Sequence, residues 1–175
     1  MKTYVALLRG INVGGNNKIE MKKLKGLFET LGFKNVQTYI NSGNVIFTTD
    51  ATGLEDTIET AIHTHFGFPV RIVIREDKNI RKLCKALPIT WTNDDIKRTD
   101  ILFLRDQYDS KKSLDLIKTT DVDNLMYIPG AIIWNVARVN VTKSGLRTFI
   151  GSELYKHMTA RNVNTVRKLN ELLQV

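Results

Sequence analysis

The chain has 175 residues, 42% of them hydrophobic and 25% charged, a makeup that fits one globular domain or two small ones and excludes a disordered segment. It has no apolar run long enough to span a bilayer, and Met1-Lys2-Thr3 leads into a strand rather than a signal peptide. The lone Cys84 excludes an internal disulfide, and the sum of these features predicts a cytoplasmic protein with no membrane partner.

The formal net charge of +8 lies at the two ends. Residues 1–50 carry 7 Lys and Arg against 3 Asp and Glu, residues 142–175 carry 6 against 2, and the stretch between holds 13 of each. Solvated helix faces are the plain reading. The sharper expectation is that both ends form one positive surface for an acidic partner.

In chain order, Thr3–Leu8 is a strand apolar on both faces, so both faces should be covered. Arg9 and a loop with Gly10, Gly14 and Gly15 follow, then a helix with Met21, Leu24, Leu27, Phe28 and Leu31 on one side. Asn17 and Glu20 fit a capping box at its start, and Gly32 fits the stop. Val36–Ile40 and Val45–Thr49 read as strands joined by the turn Asn41-Ser42-Gly43-Asn44. Thr52 and Glu55 suggest a second capping box, opening a helix that Gly67 ends, and Val70–Arg75 is a fourth strand. The order is β-α-β-β-α-β, so a ferredoxin-like plait is expected over residues 1–75.

That topology has a consequence. The end of the first strand and the hairpin between the second and third should share one edge, bringing Arg9–Gly15 beside Asn41–Asn44. The second helix should end there too, with His63 and His65.

Residues 76–175 read as a second, incomplete plait packed tightly on the first. Lys78–Leu87 is a helix stopped by Pro88, Ile89–Thr99 a loop anchored by Trp91, and Asp100–Arg105 a strand. Ser110–Lys118 is a helix, and Leu125–Ile128 with Ala131–Val136 a hairpin turning at Pro129-Gly130. Helical stretches over Lys143–Lys156 and Asn162–Gln174 close the chain, with no fourth strand in evidence. Asn162 should cap the last helix, leaving Arg161, Asn164 and Thr165 as polar groups around a positive helix end.

Three blocks, LLRGINVGG (7–15), TYINSGNVIF (38–47) and TARNVNTVRKL (159–169), resemble the signatures of a bacterial family catalogued as domain of unknown function 1697. The resemblance runs nearly end to end and implies two ferredoxin-like subdomains; it implies no activity. Val163 stands where that family is expected to carry Trp, which removes a stacking role there.

Other motifs fail. Gly10-x-x-x-Gly14-Gly15 has neither the ending of a P-loop nor the spacing of a dinucleotide fingerprint. His63, His65, His157 and Cys84 do not form a zinc pattern, so no metal and no cofactor is expected. Ser42 has no evident catalytic partners. Tyr4 and Phe47 fall where RNA-recognition modules stack bases, but their glycine-aromatic signature is missing and core packing is expected instead.

The residues therefore predict a module that binds a phosphate-bearing ligand, nucleic acid or nucleotide. Its expected contacts are Arg9, Gly10, Asn12, Gly14, Gly15, Asn41, Ser42, Gly43, Asn44, Arg161, Asn162, Asn164 and Thr165. Arg9 and Arg161 are expected to share one anion. The alternative is an enzyme on a small phosphorylated substrate, with those arginines as clamps and His63 or His65 as proton carrier. A purely structural or regulatory protein is the third reading. The site is poor in carboxylates and histidines, which favours binding over acid–base chemistry.

Overall fold

The structure, a computed structural model, describes residues 1–174. The fold is α+β, with two four-stranded antiparallel sheets, and the chain divides into two compact units, Met1–Asp77 and Lys78–Val175.

The first unit runs β1 (Lys2–Leu8), α1 (Met21–Thr30), β2 (Lys34–Tyr39), β3 (Asn44–Thr49), α2 (Leu54–Phe66) and β4 (Ile72–Glu76). Its strand order is β2-β3-β1-β4, with Val5 opposite Ile46 on one side and Arg75 on the other. Ala6 and Leu8 point into a core with Leu24 and Phe28 of α1 and Ile58 and Ile62 of α2. Phe47 centres that core, its ring 5.3 Å from Phe28, 4.7 Å from Phe33 and 5.7 Å from Tyr4. The opposite face is also closed to water: Val5, Leu7, Ile46 and Val73 are all buried, as a strand apolar on both sides requires.

Local signals fare unevenly. α1 stops as expected: Gly32 takes φ 83°, the Phe33 N–H returns to Phe28 O, and the two rings pack edge to face. Neither capping box forms. Glu20 and Gly53 occupy the N-cap positions of α1 and α2 without side-chain caps. The expected capping partners work elsewhere: Asn17 donates to Gly10 O, and Glu55 accepts the Ile74 N–H. Glu59 accepts the Ile72 N–H at 2.9 Å. The two carboxylates thus cover the outward N–H groups of edge strand β4, which would otherwise invite another strand.

The second unit corrects the sequence reading. After α3 (Asp77–Ala86) come β5 (Lys97–Leu104), β6 (Asn124–Ile128), β7 (Ala131–Ala137), α4 (Leu146–Phe149), α5 (Glu153–Lys156), β8 (Met158–Asn162) and α6 (Val163–Leu172). The sheet order is β6-β7-β5-β8, so the second sheet is complete and not one strand short. β8 supplies the missing strand, pairing Ile101 with Arg161 and Leu104 with Met158. The helix expected over Ser110–Lys118 is a 3-10 turn at Lys111–Leu116, with the Ser110 side chain as its cap. The long helix expected over Lys143–Lys156 is two single turns, α4 and α5, with Gly151 at φ 101° between them. Trp134, Leu102, Leu104, Phe149 and Leu154 form the core between this sheet and those turns.

Candidate functional site

The loop after β1 is held from both sides. The Leu8 N–H donates to Gly43 O at 2.8 Å and the Arg9 N–H to Arg71 O at 2.9 Å, so the hairpin and the start of β4 grip the strand end together. Arg9–Gly15 and Asn41–Asn44 are neighbours, as the topology predicts.

Asn12 is the clasp. In a left-handed conformation (φ 54°), its Nδ2 donates to Ile19 O at 2.9 Å and Asn41 O at 2.8 Å, while its Oδ1 accepts the Ile19 N–H at 2.8 Å. Both amide hydrogens are used. Asn44 is buried and donates to Tyr39 O and Ser42 Oγ. Gly43 sits at φ 84° with the position of a Cβ 2.7 Å from both Leu8 Cβ and Ile11 Cδ1; only glycine fits there. Polar groups that seem surplus in the sequence are thus largely the fastenings of the loop.

The fastened loop walls a cleft of about 570 Å³ lined by Asn12, Gly15, Lys18, Ile19, Glu20, Met21, Lys22 and Asn41. Three predicted contacts, Asn12, Gly15 and Asn41, reach it. Lys18 and Lys22 do too, and sequence reasoning missed both by treating them as part of a solvated helix face. Neither lysine is in an ion pair among the described residues, whereas Glu20 is engaged by Lys23 at 3.3 Å. The first-turn N–H groups of α1 open beside them and have no acceptor within the helix. Gly10 and Gly14 are exposed on the same loop, and Ser42 is half-buried at the hairpin.

His63 is exposed and lines a separate hollow of about 230 Å³ with Glu59, Thr60, Pro69, Val70 and Arg71. There Glu59 is paired with Arg71 at 2.8 Å. His65 packs its ring against Phe66.

The C-terminal candidates belong to the second unit. Arg161 lies on β8 rather than in a loop ahead of a helix; it is 8% exposed, and its Nη1 donates to Ala160 O at 2.8 Å. Burial lowers its pKa to about 10, so it stays charged at neutral pH. Asn162 caps α6 as predicted, accepting the Thr165 N–H at 2.9 Å. Asn164 donates to Asn93 O, and Thr165 is buried. Cys84 is half-buried beside α6; burial, partly offset by Arg167, raises its thiol to about 11 and makes it unreactive. Among the described residues no group of three or more His, Cys, Asp or Glu is placed to hold a metal, and no helix is long and apolar enough to cross a membrane.

Residues 1–134 match the model of the family described as "Protein of unknown function (DUF1697)", and the chain belongs to that family. No curated protein matches the chain. Among solved structures it is similar to the conserved bacterial protein SP0830 from Streptococcus pneumoniae. The two are 28% identical with a TM-score of 0.84, and the match covers 98% of each chain.

Proposed function

We propose that the first unit binds a phosphate-bearing ligand, a nucleotide or a stretch of nucleic-acid backbone, in the cleft between residues 12–22 and Asn41. The observation that carries this reading is the pair Lys18 and Lys22, both without ion-pair partners among the described residues, beside the open first turn of α1 in a cleft of small-molecule size. Asn12 contributes by holding the wall in place, and Gly15 by letting a ligand approach the backbone. Arg161 belongs to the second unit and is buried in that unit's sheet. The binding reading is preferred to the catalytic one because the lining holds one carboxylate, already engaged by Lys23, and no histidine.

Titration of ATP and of a short labelled oligonucleotide at two ionic strengths tests it. Binding should weaken with salt and fall about tenfold in Lys18→Gln/Lys22→Gln. Absence of binding at low salt, or binding indifferent to both lysines, removes the proposal.

A further inference from the structure

The second unit has a cleft of its own, about 450 Å³, walled by Lys118, Thr119 and Thr120 on one side and residues 142–148 on the other. Two features build it. The Asp123 carboxylate accepts the Thr120 N–H at 2.9 Å, the Gly145 N–H at 2.8 Å, Trp134 Nε1–H at 2.9 Å and the Ser144 hydroxyl, stapling both walls to the core. Burial pushes this carboxyl's pKa up, but the Ser144, Thr120, Gly145 and Trp134 donors outweigh it and hold the pKa below its ordinary value. The second feature is Gly145, where a Cβ would stand 2.0 Å from Lys118 O. The two segments touch backbone to backbone, at a distance no other residue permits.

What the walls present is one-sided. Lys118, Lys143 and Arg147 are exposed on the lining, and none is in an ion pair among the described residues. The lining holds no carboxylate. The hydroxyls of Thr120, Ser144 and Thr148 are engaged within the walls, and those of Thr119 and Thr142 complete the polar surface. Three like charges held around one hollow by a rigid frame repel each other unless an anion lies between them. They come from two segments of the chain, so a ligand that meets all three spans both.

We infer that this cleft is a second anion site, independent of the first, for a small molecule carrying two or more linked phosphate groups. The Asp123 staple fixes the spacing, the cations supply the attraction, and the hydroxyls of Thr119 and Thr142 orient the ligand.

Calorimetric titration of the full chain with sodium tripolyphosphate tests the proposal. In the Lys18→Gln/Lys22→Gln background, which disables the first cleft, one-site binding is expected, and adding Lys143→Gln/Arg147→Gln should weaken it about tenfold or more. Arg147→Lys, which keeps the charge, should retain most of the affinity. Amide NMR shifts should centre on Thr120 and Gly145, and unchanged melting temperatures of the free variants would exclude unfolding as the cause. No binding at low salt in that background, or binding that the added Lys143→Gln/Arg147→Gln leaves unchanged, would overturn it, whatever the first cleft does. So would an oligonucleotide that binds more tightly than tripolyphosphate and loses affinity with the same substitutions, because the face would then be a nucleic-acid surface.

Discussion

In the first unit the Leu8 N–H reaches Gly43 O and the Arg9 N–H reaches Arg71 O; in the second, the Leu104 N–H reaches Gly130 O and the Arg105 N–H reaches His157 O. Each unit also buries one arginine on its fourth strand. Arg75 lies opposite Val5 and donates to Ile74 O, and Arg161 lies opposite Ile101 and donates to Ala160 O. The two sheets are repeats of one plan, and they differ in where they open. In the first unit the loop from Arg9 to Glu20 stands over the hairpin and leaves a cleft there. In the second, Asp109 takes the Tyr127 hydroxyl at 2.8 Å and the Gly130 N–H at 2.7 Å, drawing that corner together. The second unit's cleft lies at the other end of the sheet, before β6 and after β7. The same backbone ladder thus carries two surfaces, chosen by which connection is pinned and by what.

The glycines that permit close contact give the largest test of this contrast. Gly145→Ala should destabilise the protein by on the order of 4 kcal/mol, since its Cβ meets a backbone carbonyl that cannot rotate away. Gly43→Ala should cost about 3 kcal/mol, combining a left-handed backbone with contacts to Leu8 and Ile11. Gly14→Ala, left-handed but in open space, should cost about 1 kcal/mol. Urea midpoints of the three variants would break the comparison if the order were reversed.

The polar staples come next. Asp123→Ala strands the Gly145 N–H and Trp134 Nε1–H and should cost about 2–3 kcal/mol. Asp109→Ala and Asn12→Ala, each releasing a hairpin, should cost about 2 kcal/mol. Asp123 also has a pH signature. Its folded pKa lies below the ordinary carboxylate value, so its contribution is present above the unfolded pKa and is lost as pH falls through the folded one. Urea midpoints measured between neutral pH and the acid range should therefore fall less steeply in Asp123→Asn than in the parent; equal slopes would deny Asp123 this role.

The smallest effect is on stability at the two clefts themselves. Lys18→Gln, Lys22→Gln and Lys143→Gln should each shift stability by no more than about 0.5 kcal/mol, because all three are exposed and unpaired among the described residues. A larger loss in thermal or urea melts would mean that the lysine supports the fold rather than a ligand.

Much of the first unit was legible because its information is local. Alternation in Thr3–Leu8, the helical spacing of Leu24 and Phe28, and the stop at Gly32 each act within a few residues. The strand order then placed Arg9–Gly15 beside Asn41–Asn44 before any contact was known. The sequence also located Asn162 as the cap of α6, since a cap is made by a side chain and the N–H three residues on. It determined as well that both faces of β1 are covered.

Tertiary structure decided the rest. β8 was invisible because Met158–Asn162 is short, ends in a cap signal, and finds its pairing partner in β5, 54 to 62 residues upstream. The missed capping boxes have a similar origin: Glu55 has a better use on the Ile74 N–H of an edge strand than on its own helix. Asn12 and Asn44 look like free ligand contacts until the chain folds and presents them with backbone carbonyls. The clefts were the least legible features of all. They exist only where two distant segments are held apart or together, by Asn12 in one unit and by Asp123 and Gly145 in the other, and no local pattern records such a distance.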